Sequence, residues 1–202
     1  MKNDFVVKST NYGYFSRERL DKLNDEMQYL KSKYGVTNHV ILSSISKRAL
    51  YSKTYREGNI SKVADLIAGI LNCYGFSTDE IGEFISKNKH ILNSNYADFR
   101  YRLALLCKAG LFENALFCNS FVLTNDFTAM NYGTKDLYSV VKYRLKNNLP
   151  ITLDSLCNVS STELKNAQEE CPFNLNDFKL YDQKMMLYLS KKKLENSKKK
   201  VL

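Results

Sequence analysis

The chain has 202 residues, of which 44% are hydrophobic; this is enough apolar surface for a packed core and argues against a disordered chain. With only 8 Gly and 2 Pro, the sequence lacks the frequent turns of a β-sandwich, so we predict an all-α fold. The net charge of +9 predicts attraction to polyanions. Much of this charge is concentrated near the C-terminus, where seven lysines lie between Lys184 and Lys200 with a single acidic residue, Glu195.

The first 15 residues form an N-terminal segment without the long apolar stretch of a signal peptide. No apolar run along the chain approaches the roughly 20 residues that cross a bilayer. We therefore expect a cytoplasmic protein that does not associate with membranes.

The first helix is predicted to begin after Ser16, as N-cap, and to stop at Gly35. Apolar residues at steps of three and four form one seam along it: Leu20, Leu23, Met27, Leu30 and Tyr34. We favour packing of this seam on the rest of the domain. The alternative is self-association or docking of a protein partner through Leu20, Leu23, Met27 and Leu30.

Two further helices are predicted before Gly75. Residues 38–50 contain an apolar cluster, followed by basic residues interleaved with tyrosines up to Arg56. This mixture either binds phosphates and bases or, as we favour, lies at the edge of an amphipathic helix. Residues 61–74 are apolar on most sides, which is typical of a helix sandwiched between others.

A helix start recurs along the chain. In FSTDEI, Ser77 and Glu80 have the spacing of a capping box, in which each residue satisfies a free donor of the other. VSSTEL matches this segment position for position, with Ser160 and Glu163 in the capping roles.

Other short segments recur in the same order, at offsets of 35, 31 and 42 residues. The pairs are LNCYGF with LCKAGL (71–76 and 106–111), HILNS with FVLTN (90–94 and 121–125) and RYRL with KYRL (100–103 and 142–145). Periods of about 20–50 residues are typical of stacked helical repeats. We predict degenerate repeats over about residues 60–165 of an α-solenoid-like domain; the alternative is chance similarity among amphipathic helices.

The C-terminal part begins with a helix predicted over Leu137–Lys146 and closed by Pro150. A last helix is predicted near residues 176–194. Its apolar positions are Leu180, Met185, Met186 and Leu189. It completes a helical domain over residues 16–194, and residues 195–202 form a basic tail.

Residues that usually carry catalysis or bind metals are scarce. The chain has 2 His and 5 Cys, no CxxC pair and no Gly-rich phosphate loop. We therefore predict no enzyme, no metal site and no cofactor. Most of the cysteines are expected to be small buried residues: Cys73, Cys107, Cys118, Cys157 and Cys171.

The stretch YGFSTDEIGEFISKNKHILNSNYADFRYRLALLCKAGL resembles a repeat of the mitochondrial transcription termination factor (mTERF) family, and weaker similarity extends to about residue 165. The shared features are a Gly-apolar-Ser-x-x-Glu-Ile start, an apolar pair before Ser or Asn, a helix with basic residues and a final Gly-Leu. The resemblance implies an all-α superhelix that binds nucleic acid along a basic groove. The chain departs from the family at Lys89 and Ser120, where the repeats usually have Pro.

Two functions fit these features. The first is a non-enzymatic nucleic-acid-binding repeat protein, a regulator of gene expression that contacts the phosphates of DNA or RNA. Its basic side chains and base-stacking tyrosines are expected to be Lys87, Lys89, Arg100, Tyr101, Arg102, Lys108, Lys142, Tyr143 and Arg144. The second is a protein-binding helical scaffold or regulatory adaptor, for which the positive charge is incidental.

Overall fold

The computed structural model describes residues 17–44, 59–124 and 133–199. Within these ranges the regular structure is helical and includes no strand, which confirms the all-α prediction. The α-helices are α1 (Arg17–Tyr34), α2 (Asn38–Ser44), α3 (Asn59–Cys73), α4 (Thr78–Lys87), α5 (Tyr96–Lys108), α6 (Thr134–Lys146), α7 (Leu153–Cys157), α8 (Ser161–Glu170) and α9 (Leu175–Lys199). Shorter helical segments are the 3₁₀ turns Lys89–Asn93 and Ser120–Leu123 and the π-helical turn Asn114–Cys118.

Most predicted helices begin and end near the expected residues. The residue after α1, Gly35, has a φ of 66°, which favours glycine and ends the helix. Helix α6 begins one turn earlier than predicted. At this start the carboxylate of Asp136 accepts a hydrogen bond of 3.2 Å from the N–H of Gly133.

Helix α9 is longer than predicted, and the helix predicted over residues 38–50 is described only in part. Helix α9 continues to Lys199, so the first five residues of the predicted tail are helical. The helix predicted over residues 38–50 is observed over Asn38–Ser44. Its remainder lies outside the described residues, as does the basic and tyrosine-rich segment up to Arg56.

The chain divides into two compact units, Met1–Asn95 with Glu195–Leu202, and Tyr96–Leu194. In the first unit α1 packs against α2, α3 and α4. The buried residues of its apolar seam are Leu20, Leu23, Met27, Leu30 and Tyr34. The seam therefore packs within the domain, as we favoured, and its leucines are not exposed for self-association or docking.

A glycine sets how closely α4 approaches α1. Gly82 lies against the main-chain carbonyl of Tyr34, and a Cβ added to it would overlap that oxygen. The absence of a side chain thus lets the two backbones meet. The phenol of Tyr34 also donates a hydrogen bond of 2.6 Å to Asp65, which ties α1 to α3.

In the second unit, α6 packs against α5 and α8, and an aromatic cluster joins α9 to them. The ring of Phe178 lies 4.8 Å from that of Tyr101 and 5.2 Å from that of Tyr138. The buried positions of α9 in this unit are Phe178, Tyr181, Met185 and Leu189. The predicted apolar positions were therefore wrong at Leu180 and Met186, which are 46% and 47% exposed, because the aromatic residues take the inner face.

The same helix-ending turn occurs three times in the described ranges. In each, a residue with positive φ follows the helix, and the next N–H donates to a carbonyl five residues earlier, as in a Schellman motif. The φ values are 87° at Gly75, 75° at Gly110 and 51° at Asn148. The hydrogen bonds are Phe76 to Leu71 (3.2 Å), Leu111 to Leu106 (2.8 Å) and Leu149 to Arg144 (2.9 Å). The predicted correspondence of 71–76 with 106–111 is thus a shared backbone geometry, and Arg144–Leu149 is a third copy.

Replacing Asn148 with Gly is expected to stabilise the protein by about 0.5–1 kcal/mol, because Gly adopts positive φ without steric cost. Gly110→Ala should destabilise it by a similar amount. Urea unfolding of both variants measures the difference. Equal effects of the two substitutions would contradict the shared geometry.

The 3₁₀ turns form a second recurrence. At the predicted offset of 31 residues their starts correspond: the N–H groups of Ile91 and Val122 donate to the carbonyls of Asn88 and Asn119, at 3.0 and 3.2 Å. The ends do not correspond, because the first turn has five residues and the second four. Stacking of the repeats into an α-solenoid remains a prediction.

The two predicted capping boxes differ. Ser77 and Glu80 form the complete box, because the Ser77 N–H donates to the Glu80 carboxylate (2.7 Å) and the Glu80 N–H to the Ser77 hydroxyl (3.4 Å). At the start of α8, Ser160 accepts from the Glu163 N–H at 3.1 Å. The carboxylate of Glu163 instead accepts hydrogen bonds from Arg144. The prediction of the second capping box is thus confirmed for Ser160 and wrong for Glu163.

None of the five cysteines forms a disulfide, and the prediction that most of them are buried was wrong. Cys171 alone of the five is buried, and Cys118 is exposed. The other three are half-buried because they lie at the margins of their helices or turns.

Candidate binding surfaces

Arg100 of α5, which was predicted to contact phosphates, forms an ion pair within the second unit. The guanidinium of Arg100 donates two parallel hydrogen bonds to Asp182 of α9, at 2.7 and 2.8 Å. It donates a third to the phenol of Tyr96 at 3.1 Å. These bonds to Asp182 are the main reason that the pKa of Arg100 is raised above its usual value. The bidentate geometry leaves this group committed to α9.

Arg102 is buried, with 1% of its surface exposed. Its guanidinium donates to the Thr134 hydroxyl at 3.2 Å and to the Val122 carbonyl at 3.4 Å. A buried arginine needs such partners because an unpaired charge in the interior is very costly. This side chain therefore links α5 to the turn and helix that follow it, and it does not reach the surface.

The KYRL segment repeats this arrangement. Lys142 donates to Asp177 of α9 at 2.7 Å, as Arg100 does to Asp182. Arg144 is 9% exposed and donates to Glu163 at 2.6 and 2.8 Å and to the Pro150 carbonyl at 2.8 Å. In both segments the first basic residue pairs with an aspartate of α9, and the second is buried and bonds to a main-chain carbonyl. The recurrence has a structural role in each helix.

The remaining predicted contacts are divided between the two units. Tyr101 packs its ring on Phe178, and Tyr143 is half-buried on α6. Lys87 forms an exposed ion pair of 3.2 Å with Glu83 on α4. Lys89 and Lys108 are exposed. Among the nine predicted residues, the exposed positive charges are thus lysines. The arginines are instead bonded to carboxylates or buried within the fold.

Two buried phenols make the stability of the fold depend on pH in the alkaline range. The pKa values of Tyr34 and Tyr138 are raised to about 12, mainly because burial disfavours the phenolate and also because each donates to an aspartate. The unfolded pKa is about 10, so the unfolded chain releases these protons first. Their stabilising contribution is therefore full below pH ~10 and is lost between pH ~10 and ~12.

We expect the free energy of unfolding, measured in urea, to fall over this pH range. Tyr34→Phe and Tyr138→Phe should each reduce the slope, and together they should reduce it further. Some slope should persist because the pKa of Lys142, bonded to Asp177 and Tyr138, is also raised. An unchanged slope in the double variant would contradict this assignment.

Sequence reasoning missed a second surface, on the outer side of α9. Leu180, Leu187 and Leu194 follow one another at intervals of seven residues and are 46%, 63% and 63% exposed. Seven residues make almost two helical turns, so the three side chains form one row. The heptad spacing was visible in the sequence, but Leu187 and Leu194 were not among the residues assigned to the apolar stripe.

Exposed lysines border this row. Lys184 and Lys191 each follow a leucine of the row by four residues and lie beside it on the helix surface. We call Leu180, Lys184, Leu187, Lys191 and Leu194 together the leucine–lysine face. The two carboxylates between residues 175 and 194 are paired, Asp182 with Arg100 and Asp177 with Lys142. The face itself is therefore apolar and cationic, and the exposed carboxylate next to it in the sequence is that of Glu195, which follows Leu194.

The described residues include no group of three His, Cys, Asp or Glu side chains placed to hold a metal ion. Among the helices of the described ranges, none is both long and apolar enough to cross a membrane. No protein-family model matches the chain, and neither a curated protein nor a solved structure matches it significantly. Function has to be inferred from the residues themselves.

Proposed function

We propose that this chain is a non-enzymatic helical scaffold that binds another protein through the leucine–lysine face of α9. The observation that carries the proposal is the row of three leucines, each about half exposed or more, which the fold leaves in solvent. Single exposed leucines are common on protein surfaces, but an aligned row has the pattern of a helix-docking surface.

The basic residues of α5 and α6 support the same proposal. The predicted phosphate contacts Arg100, Arg102 and Arg144 are engaged by Asp182, by main-chain and hydroxyl groups, and by Glu163. Their positive charge is balanced or used within the fold. The net charge of +9 then reflects lysines, which also serve as ordinary solvated residues of helices.

Site-specific photo-crosslinking in the source cells tests the proposal. A benzophenone amino acid at Ser190, an exposed position beside the leucine row, is expected to give protein adducts that resist nuclease treatment. The control places the same group at the exposed residue Glu169 of α8. Adducts at Ser190 should disappear when Leu187 and Leu194 are replaced with Ser. Equal labelling from both positions would refute a specific surface on α9.

The second candidate function is nucleic-acid binding, as a regulator of gene expression, which the net charge and the exposed lysines favour. Its remaining phosphate contacts are Lys87, Lys89 and Lys108. Fluorescence anisotropy with mixed-sequence DNA and RNA at low salt tests it. This function is favoured if binding survives Lys184→Glu and Lys191→Glu but is lost when Lys87, Lys89 and Lys108 are replaced. Absence of binding to either nucleic acid would remove it.

A further inference from the structure

We infer that the partner segment docked on the leucine–lysine face is an acidic amphipathic helix, with its own row of apolar residues flanked by glutamates or aspartates. This inference rests on the proposed function and specifies the chemistry of the partner. It is argued from the width of the apolar row, the sign of the charges beside it and the spacing of both.

The row is one residue wide. Gln183 and Ser190 border it on one side and Lys184 and Lys191 on the other, since residues three and four positions away are neighbours on a helix. A helix that lies in a membrane surface presents a broad apolar face. A narrow row with one leucine in each heptad suits a line of contact with a single helix, with polar residues at the intervening position where a coiled coil has a second apolar residue.

The spacing fits a helical partner along its length. Successive leucines are about 10.5 Å apart, because each residue advances a helix by about 1.5 Å. The row drifts by only about 20° per heptad, so Leu180 and Leu194 remain on the same side as Leu187. A second helix laid along α9 can therefore contact all three leucines.

The lysines beside the leucine row determine which charge the partner segment must carry. Lys184 and Lys191 are exposed, whereas the aspartates of the same segment, Asp177 and Asp182, are paired with Lys142 and Arg100. Two copies of this face would bring lysines against lysines, which opposes self-association. Carboxylates at the positions facing Lys184 and Lys191 would form interhelical ion pairs, as at the flanking positions of coiled coils.

Nucleic acid matches only part of this surface. Phosphates satisfy the lysines, but a duplex backbone offers no apolar counterpart to three leucines whose exposed fractions are 46%, 63% and 63%. An acidic amphipathic helix satisfies both features at once.

Anisotropy titrations with fluorescent peptides test the inference on the full-length protein. The test peptide has about 21 helix-forming residues, with Leu at every seventh position and Glu beside each Leu. We expect it to bind the wild type, and to bind about tenfold more weakly to Leu187→Ser and to the double variant Lys184→Glu/Lys191→Glu. A peptide with Lys in place of Glu should bind this double variant better than the wild type. Circular dichroism confirms that the exposed substitutions leave the helices intact.

Three matched ligands can overturn the inference. They are a scrambled peptide of the same composition, vesicles containing anionic phospholipid, and a mixed-sequence oligonucleotide. Equal binding of the scrambled peptide would show that helical phasing is irrelevant. Binding of vesicles or oligonucleotide without binding of the phased peptide would assign the face to a lipid surface or to nucleic acid. If no peptide binds but the protein crosslinks at position 190 persist, this inference fails while the proposed function stands; if the crosslinks are also absent, both fail.

Discussion

Replacing Arg144 with Ala is expected to lower the free energy of unfolding by about 3–5 kcal/mol. The side chains of Arg144 and Glu163 are only 11% and 19% exposed, and two hydrogen bonds join them. Removing the guanidinium leaves the Glu163 carboxylate without its partner and the Pro150 carbonyl with only the longer hydrogen bond, 3.4 Å, from the Ser155 hydroxyl. Chemical denaturation followed by circular dichroism measures the loss.

The matched control is Lys146→Ala. Lys146 also pairs with a glutamate of α8, Glu170 at 2.9 Å, but these side chains are 58% and 43% exposed. An exposed pair of this kind contributes about 0–1 kcal/mol. The double substitution Arg144→Met/Glu163→Met should recover much of the stability, because an apolar pair needs no charge compensation. A full loss of nucleic-acid binding in a stably folded Arg144→Ala variant would instead return this residue to the phosphate-contacting set.

Replacing Gly82 with Ala is expected to destabilise the first unit by at least about 2 kcal/mol. The added methyl group would overlap the carbonyl oxygen of Tyr34, which is part of a helix backbone and has no rotamer to change. Helices α1 and α4 would have to separate and give up part of their buried contact. Thermal and urea unfolding measure the effect.

Gly69→Ala is the corresponding control, because Gly69 is also within a helix but has no atom within 4 Å of an added Cβ. Here the better helix propensity of Ala should raise stability by about 0.5–1 kcal/mol. The two glycine substitutions are thus expected to have opposite signs. Stabilisation by both would show that α4 does not approach α1 as closely as the structure indicates.

Local signals in the sequence predicted much of the helical structure. Gly35 marks the end of α1, and Ser77 with Glu80 marks the start of α4, because capping and positive φ are decided by neighbouring residues. The third copy of the helix-ending turn was missed because Asn148 occupies the position held by glycine in the other two. The short helix α7 was also missed, since five residues carry too little periodicity to detect.

The surface assignments were harder because they depend on tertiary contacts. A helical wheel places Arg102 beside the stripe of Phe99 and Leu103, at the rim of α5. In the structure, residues 102–106 of α5 are all buried, so that the helix has no such rim there. Nor does the spacing along one helix reveal that Asp182, 82 residues away from Arg100, supplies its partner.

The pairing of Asp177 and Asp182 means that the charge that α9 presents to a partner is a product of folding. In an extended chain these carboxylates lie among the lysines of the same segment and offset part of their charge. Formation of their ion pairs with Lys142 and Arg100 neutralises both carboxylates and leaves the exposed lysines of the helix in excess. An acidic partner would consequently recognise the native state in preference to the denatured one, and its binding would report that the second unit is assembled.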